Sequence, residues 1–390
     1  MRATWMKALL ATLGALAALL LLTLTGASAA DDAWRVGYLH SLSGYLANMG
    51  TASRDGFLLA IDEINKRGGI DGRPLQVFVE NDESDPSKGV PAAIQLISAD
   101  RVHAIVGPAR SDITEPLGPI AAKARVVDMT CSFILPTQGD YTFATVPTPE
   151  EEARVAVGFL ADRGARSIGI LHAIDLYDKT SAKAFADEAG RRRIQVLATE
   201  SYNAAADKNF IPQLTKIKAA KPDWLTVLGS GAPVPLIINQ KAEIGFAAPV
   251  LGNLAFSVAG IEPLLRIAGP NLQGAYLTTV PVAVWETLPK RDPRLPRIVR
   301  YREAFKAKYG RDPHMADWWT AQNYDIAFLL AEGLRRAGRD AGGGGLKAAL
   351  EGIRNFEGVV GTFSFAPGRH AGATGIVIAR VEGDRIILVK

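Results

Sequence analysis

The chain has 390 residues, with 44 basic and 40 acidic side chains, a net charge of +4 and one cysteine. So small a surplus of positive charge gives no field to attract nucleic acid, and one cysteine excludes an internal disulfide. At roughly 100 to 200 residues per domain, the length exceeds one ordinary core and points to two domains.

The N-terminus predicts where the protein works. Arg2 and Lys7 precede the almost wholly apolar run Ala8 to Leu24, and Ala27-Ser28-Ala29-Ala30 supplies the small residues of a signal-peptidase site. A signal peptide over residues 1–30, cleaved after Ala30, is therefore expected. A retained anchor is the rival reading, because an apolar run of about 17 residues is at the low edge of a membrane span. No cysteine lies in the leader, which excludes a lipid-modified N-terminus. Cleavage leaves 360 residues (390 minus 30) with 42 basic and 40 acidic groups. Exported chains can form disulfides, yet only Cys131 is present, so stability must come from packed cores. Cys131 follows the run Val126 to Met129 and reads as a small buried hydrophobe, with no histidine near it in sequence to support a nucleophile.

The first predicted unit is a strand over Arg35 to Leu39, a turn-prone loop with Ser41, Ser43 and Gly44, and a helix. In the helix Phe57, Ala60, Ile61 and Ile64 fall at i, i+3, i+4 and i+7, with Arg54, Asp55, Asp62, Glu63 and Lys66 on the other face. Strand-like runs follow at Leu75 to Glu80, Ala104 to Val106, Val126 to Met129, Ser167 to His172, Gln195 to Thr199, Trp224 to Leu228 and Val250 to Gly252. Helical patterns lie between most of them, which predicts parallel sheets covered on both faces, the doubly wound α/β class. Asp85 before Pro86 predicts an N-cap for a helix through about Ser98. Asn81-Asp82-Glu83 lacks the glycine and closing glutamate of a calcium loop and reads as solvated. Leu295 to Ile353 reads as mostly helical, with Gly342 to Gly345 as a flexible connector because no Lys-Ser/Thr follows to make a phosphate loop. Gly375 to Val381 and Arg385 to Val389 predict an antiparallel pair turned at Gly383-Asp384.

Reactive constellations are absent from the sequence. His40, His103, His172, His314 and His370 sit in no metal-ligand spacing, and Gly164 to Gly169 misses the G-x-S-x-G elbow by one residue. Gly229-Ser230-Gly231 lacks the third glycine of a dinucleotide site. No catalytic residue, metal or cofactor is expected. In doubly wound sheets ligands lie outside the carboxyl ends of the strands. The loops there carry Ser41, Ser43 and Tyr45; Gly107-Pro108-Ala109-Arg110-Ser111-Asp112; and Thr130, Cys131, Ser132 and Phe133. Hydroxyls and amides at helix N-termini suit a carboxylate. Taken singly, each of these residues also reads as a helix cap.

These residues converge on a family. Ser43-Gly44, Gly56, Ile61-x-x-Ile64-Asn65, Gly68-Gly69-Ile70-x-Gly72 and Asp82 with Asp85-Pro86 resemble the periplasmic branched-chain amino acid binding proteins of ABC transporters. Gly107, Ser111, Thr114-x-Pro116 and Asp175-x-Tyr177 extend the resemblance over essentially the whole mature chain. It implies two doubly wound, Rossmann-like α/β lobes joined by three hinge crossovers and closing on a small ligand, the type I periplasmic binding protein architecture. The crossovers are expected near Thr145-Val146, Leu277 to Thr279 and Gly361-Thr362. Lobe one is then 31–146 plus 279–361, and lobe two is 147–278 plus 362–390.

The resemblance also implies roles. Ser111 occupies the position whose hydroxyl holds the ligand carboxylate, Ser132 stands near a second hydroxyl position, Tyr177 matches a lobe-two tyrosine closing over the ligand, and Trp319 falls at an aromatic wall. Arg110 beside Ser111 suits a bidentate carboxylate contact, against the alternative of an exposed loop arginine. His40 suits a ligand donor, against a structural hydrogen bond at the strand end. One departure stands out: Asn253-Leu254-Ala255-Phe256 has no acid where amino-acid binders place one for the α-ammonium. Either Asp175 or Asp112 takes that role or the solute lacks an ammonium. The expected partners are a small-molecule solute and an inner-membrane ABC permease, with a periplasmic monomer and no nucleic acid. A ligand-sensing module of the same fold and a secreted hydrolase are the rivals.

Overall fold

Residues 33–44, 46–132, 141–257, 261–313, 318–339 and 342–389 are described by a computed structural model. The segment 1–30 expected to be a signal peptide, and Tyr45, lie outside these described residues. The first sheet has the order β2-β1-β3-β4-β5, formed by β1 (Trp34–His40), β2 (Leu75–Asn81), β3 (Ala104–Val106), β4 (Val127–Thr130) and β5 (Thr142–Ala144). Every pairing in it is parallel. Strands buried on both faces need near-continuous apolar sequence, and Val36, Leu39, Ala104 to Val106 and Met129 supply it.

Helix α1 (Ala47–Lys66) covers one face of this sheet, with Phe57 fully buried and its ring 4.8 Å from that of Tyr38. The Gly68 to Gly72 motif then reverses the chain. Asp71 and Gly72 have φ of 51° and 83° in a two-residue turn, closed by Ile70 N–H to Arg73 O at 2.8 Å. A Cβ on Gly69 would lie 2.1 Å from Arg73 O, so glycine is required there. On the other face α2 (Pro86–Ser98) and α3 (Ser111–Ala124) bury Leu96, Ile113 and Leu117 against Leu39 and Ile105. Asp85 caps α2 by accepting from Ser87 N–H at 2.8 Å. The preceding loop is not solvated: Asp82 is buried and accepts from Ser41 Oγ at 2.5 Å and Ser84 N–H at 2.8 Å, which organises both neighbouring loops.

The chain passes to a second sheet after β5. Here α4 (Pro149–Asp162), β6 (Ser167–Ala173), α5 (Leu176–Arg191), β7 (Gln195–Tyr202), α6 (Ile211–Ala219), β8 (Trp224–Leu228), α7 (Pro233–Glu243), β9 (Val250–Gly252), α8 (Ile261–Ala268) and β10 (Tyr276–Thr279) alternate. With β14 (Val377–Glu382) and β15 (Arg385–Leu388) they make a seven-stranded sheet, order β15-β14-β10-β9-β8-β6-β7, antiparallel only at its β14 and β15 end. Between β10 and β14 the chain returns to the first sheet through α9 (Leu295–Tyr309), α10 (Trp318–Ala337) and α11 (Gly343–Glu351), and α10 packs along α1.

Two expectations are corrected. Gly343 to Gly345 are not a connector but the first turn of α11, and a Cβ on Gly343 would lie 1.6 Å from Arg125 O, so the missing side chain permits close helix approach. Gly361-Thr362 is not the point of return to the second sheet. It lies within a small sheet of β11 (Phe356–Glu357), β12 (Thr362–Phe363) and β13 (Ala373–Thr374), which stays with the first. Ala144 N–H donates to His370 O at 2.9 Å, and the His370 ring stacks 4.1 Å from that of Phe143. The third passage therefore follows β13.

Candidate functional site

The site is built from what the strands deliver at their carboxyl ends. After β3, Gly107 has φ of 97°, and a Cβ there would sit 2.0 Å from Leu39 O, so glycine lets the loop cross the end of β1. The loop ends at Arg110, the extended N-cap of α3, whose side chain makes no cap hydrogen bond. Ile113 N–H donates to Arg110 O at 3.2 Å, so the Ser111 and Asp112 amides of this fourteen-residue helix are the ones left for an anion. After β4, Thr130 Oγ1 donates to Pro108 O at 2.8 Å and accepts from Ser132 N–H at 3.0 Å. This holds Ser132 beside the helix start, and the Ser111 and Ser132 hydroxyls meet at 2.7 Å. Two hydroxyls and the α3 amides form one donor cluster.

Arg110 is not an exposed loop arginine. Its guanidinium is largely covered and holds Asp112 through both carboxylate oxygens, with the Nε bond at 2.9 Å. That contact engages Asp112. His40 is fully buried under the Gly107 loop, stacked 5.1 Å from Tyr38, and neither ring nitrogen has a hydrogen-bond partner among the described residues. Burial pushes its pKa down to about 3, so the imidazole is neutral at physiological pH. Cys131 is buried with its thiol pKa pushed up by burial, and its Sγ faces Asn323 Oδ1 at 3.5 Å. Trp319 is nearly buried at the start of α10, stacked 4.1 Å from Trp318. Three residues on, Gln322 Nε2 donates to Thr145 O at 3.0 Å, tying this helix to the first passage between sheets.

From the second sheet, α5 lies against α3, so the helix starts carrying Tyr177 and Ser111 come from opposite sheets. Asp175 caps α5, accepting from Asp178 N–H at 3.0 Å. The Tyr177 hydroxyl donates to Glu152 Oε2 at 2.8 Å. Glu152 Oε1 also accepts from Leu254 N–H and from Thr278 Oγ1, each at 2.5 Å. Asn253 Nδ2 donates to Asp178 Oδ1 at 2.9 Å. Burial raises the pKa of both acids, outweighing these donors.

Sequence reasoning missed Glu152, Asp178 and Thr278. Glu152 stands in the run Pro149-Glu150-Glu151-Glu152, which reads as a solvated helix start, yet Glu152, Ala156 and Phe159 are all buried at i, i+4 and i+7. Counting that period backwards would have found it. A surface groove of about 480 Å³ lies elsewhere, beside α1 and α10, where Arg67, Arg297 and Arg335 are paired with Glu63, Glu357 and Glu332.

The sequence profile described as periplasmic binding protein matches residues 33–385. The chain is 29% identical over 319 residues to the leucine-, isoleucine-, valine-, threonine- and alanine-binding protein of Pseudomonas aeruginosa, covering 80% of each. It is 24% identical over 327 residues to the Leu/Ile/Val-binding protein of Escherichia coli, covering 83% of this chain and 84% of that one. In structure it is similar to the branched-chain amino acid transporter substrate binding protein LivJ of Streptococcus pneumoniae, solved in complex with isoleucine. That similarity has a TM-score of 0.78 at 25% identity and covers 92% of this chain and 99% of that one. The leucine binding protein LivK of Thermotoga maritima shares the fold, with a TM-score of 0.78 at 19% identity over 91% and 97% of the two chains. A profile match that runs through both sheets, on a fold shared with these solved proteins, places the chain in the periplasmic binding protein family.

Proposed function

We propose that this protein is the periplasmic solute-binding component of an ABC importer, capturing a small carboxylate between its two lobes and delivering it to a membrane permease. The observation that carries the reading is the Ser111 and Ser132 hydroxyl pair at the uncapped start of α3, opposite Tyr177 from the second sheet. Lobe one comprises 33–145 and 280–375; lobe two comprises 146–279 and 376–389. The solute carboxylate docks on the α3 amides and the two hydroxyls, Trp319 supplies an apolar wall, and His40 offers a neutral donor or acceptor. Arg110 acts through its hold on Asp112, which fixes the helix start, and adds positive potential. Contacts from Tyr177 are available only when the lobes meet, so ligand shifts the population toward the closed form. The branched-chain amino acids in the relatives' names support a small carboxylate with an apolar side chain as the solute.

Melting of the mature protein against branched-chain amino acids, aliphatic acids, aromatic acids and amides tests the reading. A selective carboxylate at a hundredfold excess over its Kd adds about 2.7 kcal/mol and raises the midpoint. A panel in which no carboxylate shifts it contradicts the reading.

A further inference from the structure

On the lobe-two side, every carboxylate of the described loops around Asn253 is already engaged. Glu152 receives Leu254, Thr278 and Tyr177; Asp178 receives Asn253; Asp175 caps α5. Asn253 is itself spent, because its Oδ1 accepts from Gly229 N–H at 3.3 Å while its Nδ2 is held by Asp178. Across the site Asp112 is held by Arg110, and Asp82 is buried in the loop it organises, with Oδ2 lacking a partner. Asp82 Oδ2 apart, the groups around the site with hydrogen-bonding capacity to spare are neutral.

Tyr202 is the foremost of these. Its side chain runs from the end of β7 past Ala173 at the end of β6, and its oxygen lies 1.9 Å from where a Cβ on Gly229, after β8, would be. Glycine at 229 therefore opens the space this hydroxyl occupies at the strand ends. The residue is 1% exposed, and its hydroxyl has no hydrogen-bond partner among the described residues. A buried hydroxyl without a partner is costly, and such a group in a folded protein calls for a functional explanation.

Resting on the binding reading, we infer that Tyr202 donates to the solute from lobe two, and that the solute is a carboxylate bearing an uncharged oxygen, carbonyl or hydroxyl, where an amino acid bears its ammonium. An ammonium beside this hydroxyl would have Asp178 and Asp175 within electrostatic reach, but the first is buried and held by Asn253 Nδ2 and the second is spent on the start of α5, so neither is a free counter-charge. A carbonyl or hydroxyl oxygen accepts from Tyr202 directly.

Calorimetric titration of the mature protein with L-leucine, 4-methyl-2-oxopentanoate, 2-hydroxy-4-methylpentanoate and 4-methylpentanoate tests this, in wild type and Tyr202→Phe. The oxo or hydroxy acid is expected to bind at least about tenfold tighter than leucine. Tyr202→Phe is expected to bring it down to the level of 4-methylpentanoate, with the ligand-free melting midpoint unchanged or raised. Leucine binding tighter than its oxo acid overturns the inference, and loss of that binding in Asp82→Asn would identify the acid that receives the ammonium. Unchanged affinity in Tyr202→Phe overturns it also. If Tyr202→Phe does not fold, the wild-type ranking still decides. Binding of none of the four overturns the inference, and the broader carboxylate panel then judges the binding reading separately.

Discussion

Replacing Asp325 by asparagine isolates a pH-dependent contribution to stability that the structure makes large. Asp325 lies in α10, fully buried, and its two oxygens accept from Val359 N–H at 2.7 Å and Val360 N–H at 2.8 Å in the turn before β12. Burial raises its pKa from 3.8 to about 7, outweighing the two backbone donors and the attraction of Arg297. The folded state therefore holds this proton more tightly than the unfolded chain. Stability from this group is fully present below the unfolded value of 3.8 and is lost as pH rises to about 7. At about 1.4 kcal/mol per tenfold in proton affinity, the loss is roughly 4 kcal/mol across that window. Asparagine removes the titration but places an amide N–H against one backbone N–H, at a cost of about 1–3 kcal/mol. Asp325→Asn should thus be less stable than wild type near pH 5, and the gap should close or reverse by about pH 8. Urea unfolding followed by tryptophan fluorescence measures it. A gap that does not change with pH refutes the reasoning.

Glu152→Ala strands three donors, Leu254 N–H and the Thr278 and Tyr177 hydroxyls, and should cost about 3–5 kcal/mol. Glu152→Gln keeps an acceptor for Leu254 and should cost about 1 kcal/mol, both read by denaturant unfolding. Gly343→Ala should destabilise by about 1–3 kcal/mol through its contact with Arg125 O. Gly344→Ala, whose nearest neighbour is Tyr141 Oη at 3.6 Å, should be neutral or gain up to about 1 kcal/mol from helix propensity. Thermal melting separates the pair. Cys131, buried with its thiol pKa raised, should label with a thiol reagent only after denaturation, as mass spectrometry would show.

Strand sequences that are mostly apolar proved readable: Ala104 to Val106, Trp224 to Leu228 and Val250 to Gly252 are strands with the expected bounds. Strands β5 and β11 to β13 were not readable, because their two or three residues mix threonine or glutamate with apolar side chains and their pairing is fixed by distant contacts such as Ala144 to His370. The start of α1 was hidden for another reason. Gly50 and Gly56 lower helix propensity, yet their missing side chains let the helix approach Ser41 O and Thr320 O, where a Cβ would lie 2.0 and 1.9 Å away. The meeting of the Ser111 and Ser132 hydroxyls was legible because both residues follow strand ends. The inward turn of Glu152, the isolation of His40 and the reach of Tyr202 to Gly229 depend on tertiary packing that no local pattern encodes.

The Kd of the selected carboxylate for Ser111→Ala, set against wild type, tests the carboxylate site most directly. Loss of one hydrogen bond to a charged group, worth about 1.5–3 kcal/mol, predicts affinity weakened at least about tenfold, while the ligand-free protein loses only the Ser111 to Ser132 hydrogen bond, about 1 kcal/mol. An unaltered Kd would contradict the account.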